Sequence, residues 1–187
     1  MRLSVFLALL AIGGTATAAS PTFSFQVSGP PGESLTQGQT YSLNNQNAAL
    51  VVTPFPTPGD INFAVFWSGH SLDLTLAPFP GTRLDPGVYA NAARWPFQSQ
   101  QPGLNLNIDS RGCNELSGSF TVLSSTYSPG GDLIALHVTF EQHCENRPEA
   151  ATGELNFVSA AAIPAVSPTL LLLLGVSLAL LGTRLLR

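Results

Sequence analysis

The chain has 187 residues, a formal charge of −4, 44% hydrophobic residues and no lysine. Its seven arginines are split between the ends and the middle, so no basic stripe exists to hold nucleic acid or to dock on an anionic lipid surface. Such a composition leaves room for one buried core and for apolar ends that act at a membrane.

Residues 1–19 read as a secretory signal helix. Arg2 is the positive start, residues 3–12 are the apolar core, and Ala16-Thr17-Ala18-Ala19 is the small-residue cleavage site. Cleavage after Ala18 or Ala19 is expected, which makes the Sec export machinery and signal peptidase the first partners. An uncleaved anchor is the competing reading, but the core falls well short of the ~20 residues that span a bilayer.

Residues 20–159 carry all eleven acidic residues but only four arginines, a net of −7. Apolar residues recur every second position. Phe23, Phe25 and Val27 alternate with polar neighbours, as do Leu72, Leu74 and Leu76, and Leu104, Leu106 and Ile108. Leu116, Gly118, Phe120 and Val122 share a face, as do Ile134, Leu136, Val138 and Phe140, then Leu155 and Phe157. This period predicts half-buried antiparallel strands, punctuated by Gly/Pro turns at 29–32, 54–59, 78–81, 85–87 and 128–132. Eight to ten short strands predict an all-β domain, an antiparallel β-sandwich or jelly roll, with helices only in the two flanking segments.

The clearest local prediction is a hairpin of residues 117–127 and 132–143 about a turn at 128–131. Cys113 and Cys144 flank it and meet at one end, so a disulfide is expected in an exported chain. Closing a loop of about 32 residues stabilises by roughly 3–4 kcal/mol in the chain-entropy model. A redox or metal pair is the alternative, without a Cys-x-x-Cys to favour it.

No nucleophile turn, calcium loop or phosphate loop is present, and the reading is of a protein that is not an enzyme and needs no cofactor. His137, Glu141 and His143 fall on the solvent-side parity of one strand. His137 and His143 are roughly 20 Å apart there, while Glu141 and His143, about 7 Å apart, could share an ion only with outside help. Ordinary surface polarity is the expectation, and His70 is read as a turn residue. Trp67 and Trp95 are the candidate ligand-binding residues, as rings that could stack on a sugar, against the plainer role of core or loop-pinning aromatics. Phe66 and Trp67 are consecutive and point to opposite faces in a strand, so one of them is expected outside.

Arg111-Gly112-Cys113-Asn114, Gly118-Ser119-Phe120-Thr121-Val122 and Phe140-Glu141-Gln142-His143-Cys144-Glu145 together resemble a secreted bacterial β domain of unknown function, and residues 89–102 suit the same pattern. The resemblance implies a secreted, disulfide-bearing β domain and no activity.

Residues 160–168 form a linker, and 169–187 an apolar tail closed by Arg184 and Arg187 as the membrane stop. Residues 165–183 are just long enough to cross roughly 30 Å of hydrocarbon, with the arginines inside and the domain outside. Ile163-Pro164-Ala165-Val166-Ser167, followed by the apolar run and arginines, resembles the Ile-Pro-Thr-Leu sorting signals related to PEP-CTERM. That resemblance implies an exosortase-type sorting enzyme as partner and cutting near Pro164. The family's Trp-Gly is replaced by Pro168-Thr169. An exported cell-envelope protein with a display, structural or adhesive role is therefore expected, held in the inner membrane with its domain outside or processed to the surface. The alternative is a module that binds an envelope or extracellular polysaccharide.

Overall fold

The structure is a computed structural model that describes residues 21–160. The signal segment 1–19, the sorting motif Ile163 to Ser167, the tail 169–187 and its Arg184 and Arg187 lie outside the described residues. Among the described residues no helix is long and apolar enough to cross a membrane.

Among the described residues every regular element is a strand: β1 Thr22–Ser28, β2 Thr40–Asn44, β3 Ala49–Pro54, β4 Ile61–Trp67, β5 His70–Ala77, β6 Gly87–Arg94, β7 Gly103–Ile108, β8 Leu116–Tyr127, β9 Leu133–Cys144 and β10 Ala150–Val158. All ten join one sheet in the order β2-β1-β10-β9-β8-β6-β7-β5-β4-β3. Where the strand count suggests two stacked antiparallel sheets, a single mixed sheet curls nearly into a barrel. The Phe63 ring of β4 meets Phe157 of β10 at 5.6 Å, and Tyr41 of β2 meets Trp67 at 5.6 Å. The curl closes the two halves on one core and stays open between edge strands β2 and β3.

Departure from a purely antiparallel sheet comes from β6 and β7, which run parallel over Ala93↔Gly103 and Arg94↔Leu104. The end of β6 meets the start of β7, so the loop 95–102 connects them without the long crossover that full-length parallel strands need.

The period-two pattern explains the core directly. Phe23, Phe25 and Val27 are buried, as are Leu72, Leu74 and Leu76, Leu104, Leu106 and Ile108, and Leu136, Val138 and Phe140. Two loops add Leu35 and Leu84, both fully buried, to the same cluster. The hairpin of β8 and β9 pairs Leu116 with Cys144 and Tyr127 with Leu133. A bulge after Val122 shifts its register and leaves Leu123 49% exposed.

Gly153 marks one close approach. A Cβ there would stand 2.6 Å from Cε1 of Phe140 and 2.7 Å from the Gln26 carbonyl. Phe140 also holds an edge-on contact with Phe25 at 6.0 Å, so its ring has little freedom to withdraw. Gly153→Ala is expected to lower stability by about 1–3 kcal/mol through overpacking. Urea unfolding checks this, and an unchanged midpoint would show that the ring moves aside at no cost.

Candidate functional site

Trp95 and Trp67 lie in different surroundings. Trp67 ends β4 half-buried, edge-on to Tyr41 and stacked on His70 at 5.5 Å. Its neighbour Phe66 is the outward one, 48% exposed. Trp67 therefore pins the β4–β5 turn onto the open edge of the curl.

Trp95 opens the 95–102 loop and reaches the loop at 55–60. Its ring lies 4.4 Å from that of Phe55, and its Nε1–H donates to Asp60 Oδ2 at 2.9 Å. The Trp95–Pro96 peptide is cis. Beside them a cleft of about 340 Å³ is lined by Asp60, Pro78, Phe79, Trp95, Pro96 and Gln98. Burial pushes the Asp60 carboxyl above its ordinary pKa, and the indole N–H opposes that by stabilising the anion. Gln98 Oε1 is a buried acceptor without a protein donor. Phe79 in the cleft wall is 43% exposed, while Phe97, in the same loop as Trp95, is 71% exposed beneath the Arg94 guanidinium at 5.1 Å.

A second hollow of about 500 Å³ adjoins the cleft through Asp60 and includes Phe55, Arg83, Tyr127, Leu133 and Phe157. Arg83 lies over the Tyr127 ring at 4.5 Å and bonds Asp85 at 2.8 Å. Burial first, then the Asp85 charge, pushes the Tyr127 phenol up to about 12, so it stays a protonated donor throughout the neutral range.

The histidines are each taken by a carboxylate. His70 Nδ1 lies 3.0 Å from Asp109 Oδ2, with Arg111 at 3.7 Å. The Ser71 amide donates to Asp109 Oδ1 at 3.0 Å. That amide, ahead of the His70 contact, holds the Asp109 carboxyl below its usual range. The group ties the start of β5 to the end of β7; His70, expected in the turn, is the first residue of β5, just beyond the turn and paired with Trp67. His137 meets Glu154 at 2.7 Å. Glu141 and His143, whose spacing would let them share an ion, instead bond one another at 2.9 Å. Among the described residues no three metal-ligating side chains converge.

The Glu141 bond raises the His143 pKa most, with smaller help from the Arg147 and Pro148 carbonyls and against desolvation. A folded pKa above the unfolded value adds stability below the unfolded pKa and loses it as pH rises through the folded one. The protein is therefore expected to be more stable just below about pH 6.5 on account of His143. Glu141→Gln should remove that increment, which proton NMR titration of the His143 ring checks. An unshifted ring in both proteins would contradict it.

Cys113 and Cys144 are bonded, with α carbons 5.0 Å apart and both side chains buried. Glu145, next to the bridge, accepts the Asn114 amide at 2.6 Å and its own amide donates to the Glu115 carbonyl at 2.9 Å. Together these clasp the segment before β8 to the turn after β9.

Gln142 is the residue that a search for catalytic and ligand patterns passes over. Fully buried, it accepts the Leu106 amide at 2.7 Å and donates to the Leu106 carbonyl at 3.1 Å and to Cys113 Sγ at 3.1 Å. Beyond Leu104, β7 has no pairing with β6. The Gln142 amide takes the place of a neighbouring strand there. Its signal in the sequence is parity: Gln142 continues the inward face of Leu136, Val138 and Phe140.

Compared with known proteins, the chain matches no family model, no curated protein and no solved structure.

Proposed function

We propose that this is an exported cell-envelope protein whose β domain is displayed, without catalysis, on the outer side of the membrane, held there by its C-terminal tail until a sorting step cuts it near Pro164. The observation that carries the reading is the position of the first and last strands of the described domain. Thr22 is paired with Val158 in the β1–β10 ladder, so the leader and the tail both join the domain at one side. The turn that follows the bridged Cys144 lies at the far end of β10, about 30 Å away at 3.3 Å per residue. A domain tethered by its tail would present that clasped, acidic end outward. The Cys113–Cys144 bridge suits an oxidising compartment. Sec and signal peptidase would act on residues 1–19, and an exosortase-type enzyme on the motif Ile163 to Ser167.

Protease added to spheroplasts of the host should remove the domain while cytoplasmic markers survive. Protection of the domain until lysis would overturn the reading. Sustained turnover of an envelope polymer by the purified chain would overturn its non-catalytic part.

One observation favours a second reading, recognition of a polysaccharide. The cleft beside Trp95 combines the exposed ring of Phe79 and the Trp95 indole with an acceptor, the Asp60 carboxylate. Flat rings suit the apolar face of a sugar, and a carboxylate suits its hydroxyls. Trp67 is engaged by Tyr41 and His70, so this reading rests on Trp95. Titration with envelope and extracellular polysaccharides should change tryptophan fluorescence, and Phe79→Ala should weaken binding about tenfold, roughly 1.4 kcal/mol. A flat response across the panel removes the reading.

A further inference from the structure

The open edge of the curl carries a self-complementary strand. β3 is the last strand of the sheet, paired only with β4. The Phe55 amide donates to the Asp60 carbonyl at 2.9 Å, which makes 55/60 a bonded pair. Two-residue alternation along the register then makes Thr53↔Asn62, Val51↔Ala64 and Ala49↔Phe66 the bonded pairs of β3 and β4. Leu50 and Val52 consequently turn both N–H and C=O away from β4, toward the side with no neighbouring strand. Pro54 shares that parity, so its missing N–H takes nothing from the β4 ladder.

Side chains divide the same way. Leu50 and Val52 are half-buried against the core, while Val51 is 51% exposed and lies diagonal to Phe66, 48% exposed, on the outer face. Natural edge strands are commonly guarded by charge. Here no charged residue occurs between Glu33 and Asp60, a stretch that contains both edge strands, although the domain around it is strongly acidic. The nearest carboxylate along the outer row, Asp73, stands two strands in, beyond Ala64, roughly 10 Å from Val51.

We propose that β3 is the pairing surface for a second copy of this chain, joined antiparallel about a twofold axis at Val51. That register sets Leu50 opposite Val52 of the second copy, twice over, and satisfies all four outward backbone pairs with four hydrogen bonds. It also sets Val51 against Val51 and Ala49 against Thr53 on the outer face, so both sheets keep their inside and outside. A shift by one residue would oppose exposed to half-buried side chains. Two copies of an acidic domain meet here without bringing carboxylates together, which is the argument for a like partner. The other edge, β2, is shorter and turns polar Thr40 and Ser42 outward.

In the non-bonded pair at the axis, α carbons lie about 4.5 Å apart, within disulfide reach. Full-length protein in detergent carrying Val51→Cys should therefore give a covalent dimer on mild oxidation, while Thr53→Cys stays monomeric on a non-reducing gel. Without added cysteines, chemical cross-linking should trap a dimer that Val51→Arg abolishes, with the unfolding midpoint unchanged when both proteins are diluted to monomer. No covalent dimer from Val51→Cys, equal cross-linking of Thr53→Cys, or a trapped dimer indifferent to Val51→Arg would each overturn the proposal. The last would mean association through the tail. Ladders growing beyond the dimer would mean pairing of β3 with β2, and would overturn the twofold as well.

Discussion

Cys113→Ser is expected to destabilise the protein by roughly 3–4 kcal/mol, the loop-closure entropy returned to the unfolded chain by opening a bridge of sequence separation 31. Cys144→Ser should cost about the same, because each change removes the same bond, and the double variant should cost little more than either alone. Chemical unfolding of oxidised protein and the three variants measures this. Losses that add would mean that the two thiols act separately. The bridge closes the β8–β9 hairpin at the end where Glu145 holds Asn114 and Glu115, so its loss should also loosen that clasp. Amide exchange at Asn114 should quicken in the variants.

Gln142→Leu is expected to cost roughly 2–5 kcal/mol, although it places an apolar side chain in an apolar core. The change leaves the buried amide and carbonyl of Leu106 without partners, each worth about 1–3 kcal/mol when orphaned. It also removes the donor to Cys113 Sγ, so its effect should not add simply to that of Cys113→Ser. Urea unfolding of the single and double variants tests both statements. A loss below about 0.5 kcal/mol would show that Leu106 finds another partner once Gln142 is gone.

These two sites differ in how far the sequence announces them. The cysteines flank a hairpin whose alternation is clean from Phe120 to Val122 and from Leu136 to Phe140, so their meeting follows from strand pairing alone. Gln142 follows from the same alternation only if a polar residue at an inward position is treated as a signal. Its partner Leu106 is 36 residues away, on a strand that no local pattern places beside β9.

Strand identity was similarly legible where alternation is strong and obscure where the fold is closed by non-local contacts. β5, β7, β9 and β10 announce themselves through Leu, Ile, Val and Phe at every second position. β6 is built on Ala90, Ala92 and Ala93 with a register shift between Tyr89 and Ala92, and small residues carry little periodic signal. The short parallel contact of β6 with β7, and with it the single curled sheet, depends on where the 95–102 loop returns. That return is fixed by Trp95 bonding Asp60 across 35 residues, a contact with no trace in local pattern. The same contact separates the two tryptophans. One pins the open edge and the other walls a cleft, though composition treats them alike.

The central claim is that this β domain is exported and delivered by its two ends. Its most direct test is the intact mass of the protein recovered from the envelope and medium of its host, measured with and without reduction. The account predicts a chain beginning at or beside Ser20 and ending near Pro164, heavier by about two mass units after reduction of the bridge. A chain that begins at Met1 would contradict export with cleavage, and one that runs to Arg187 would contradict the sorting step.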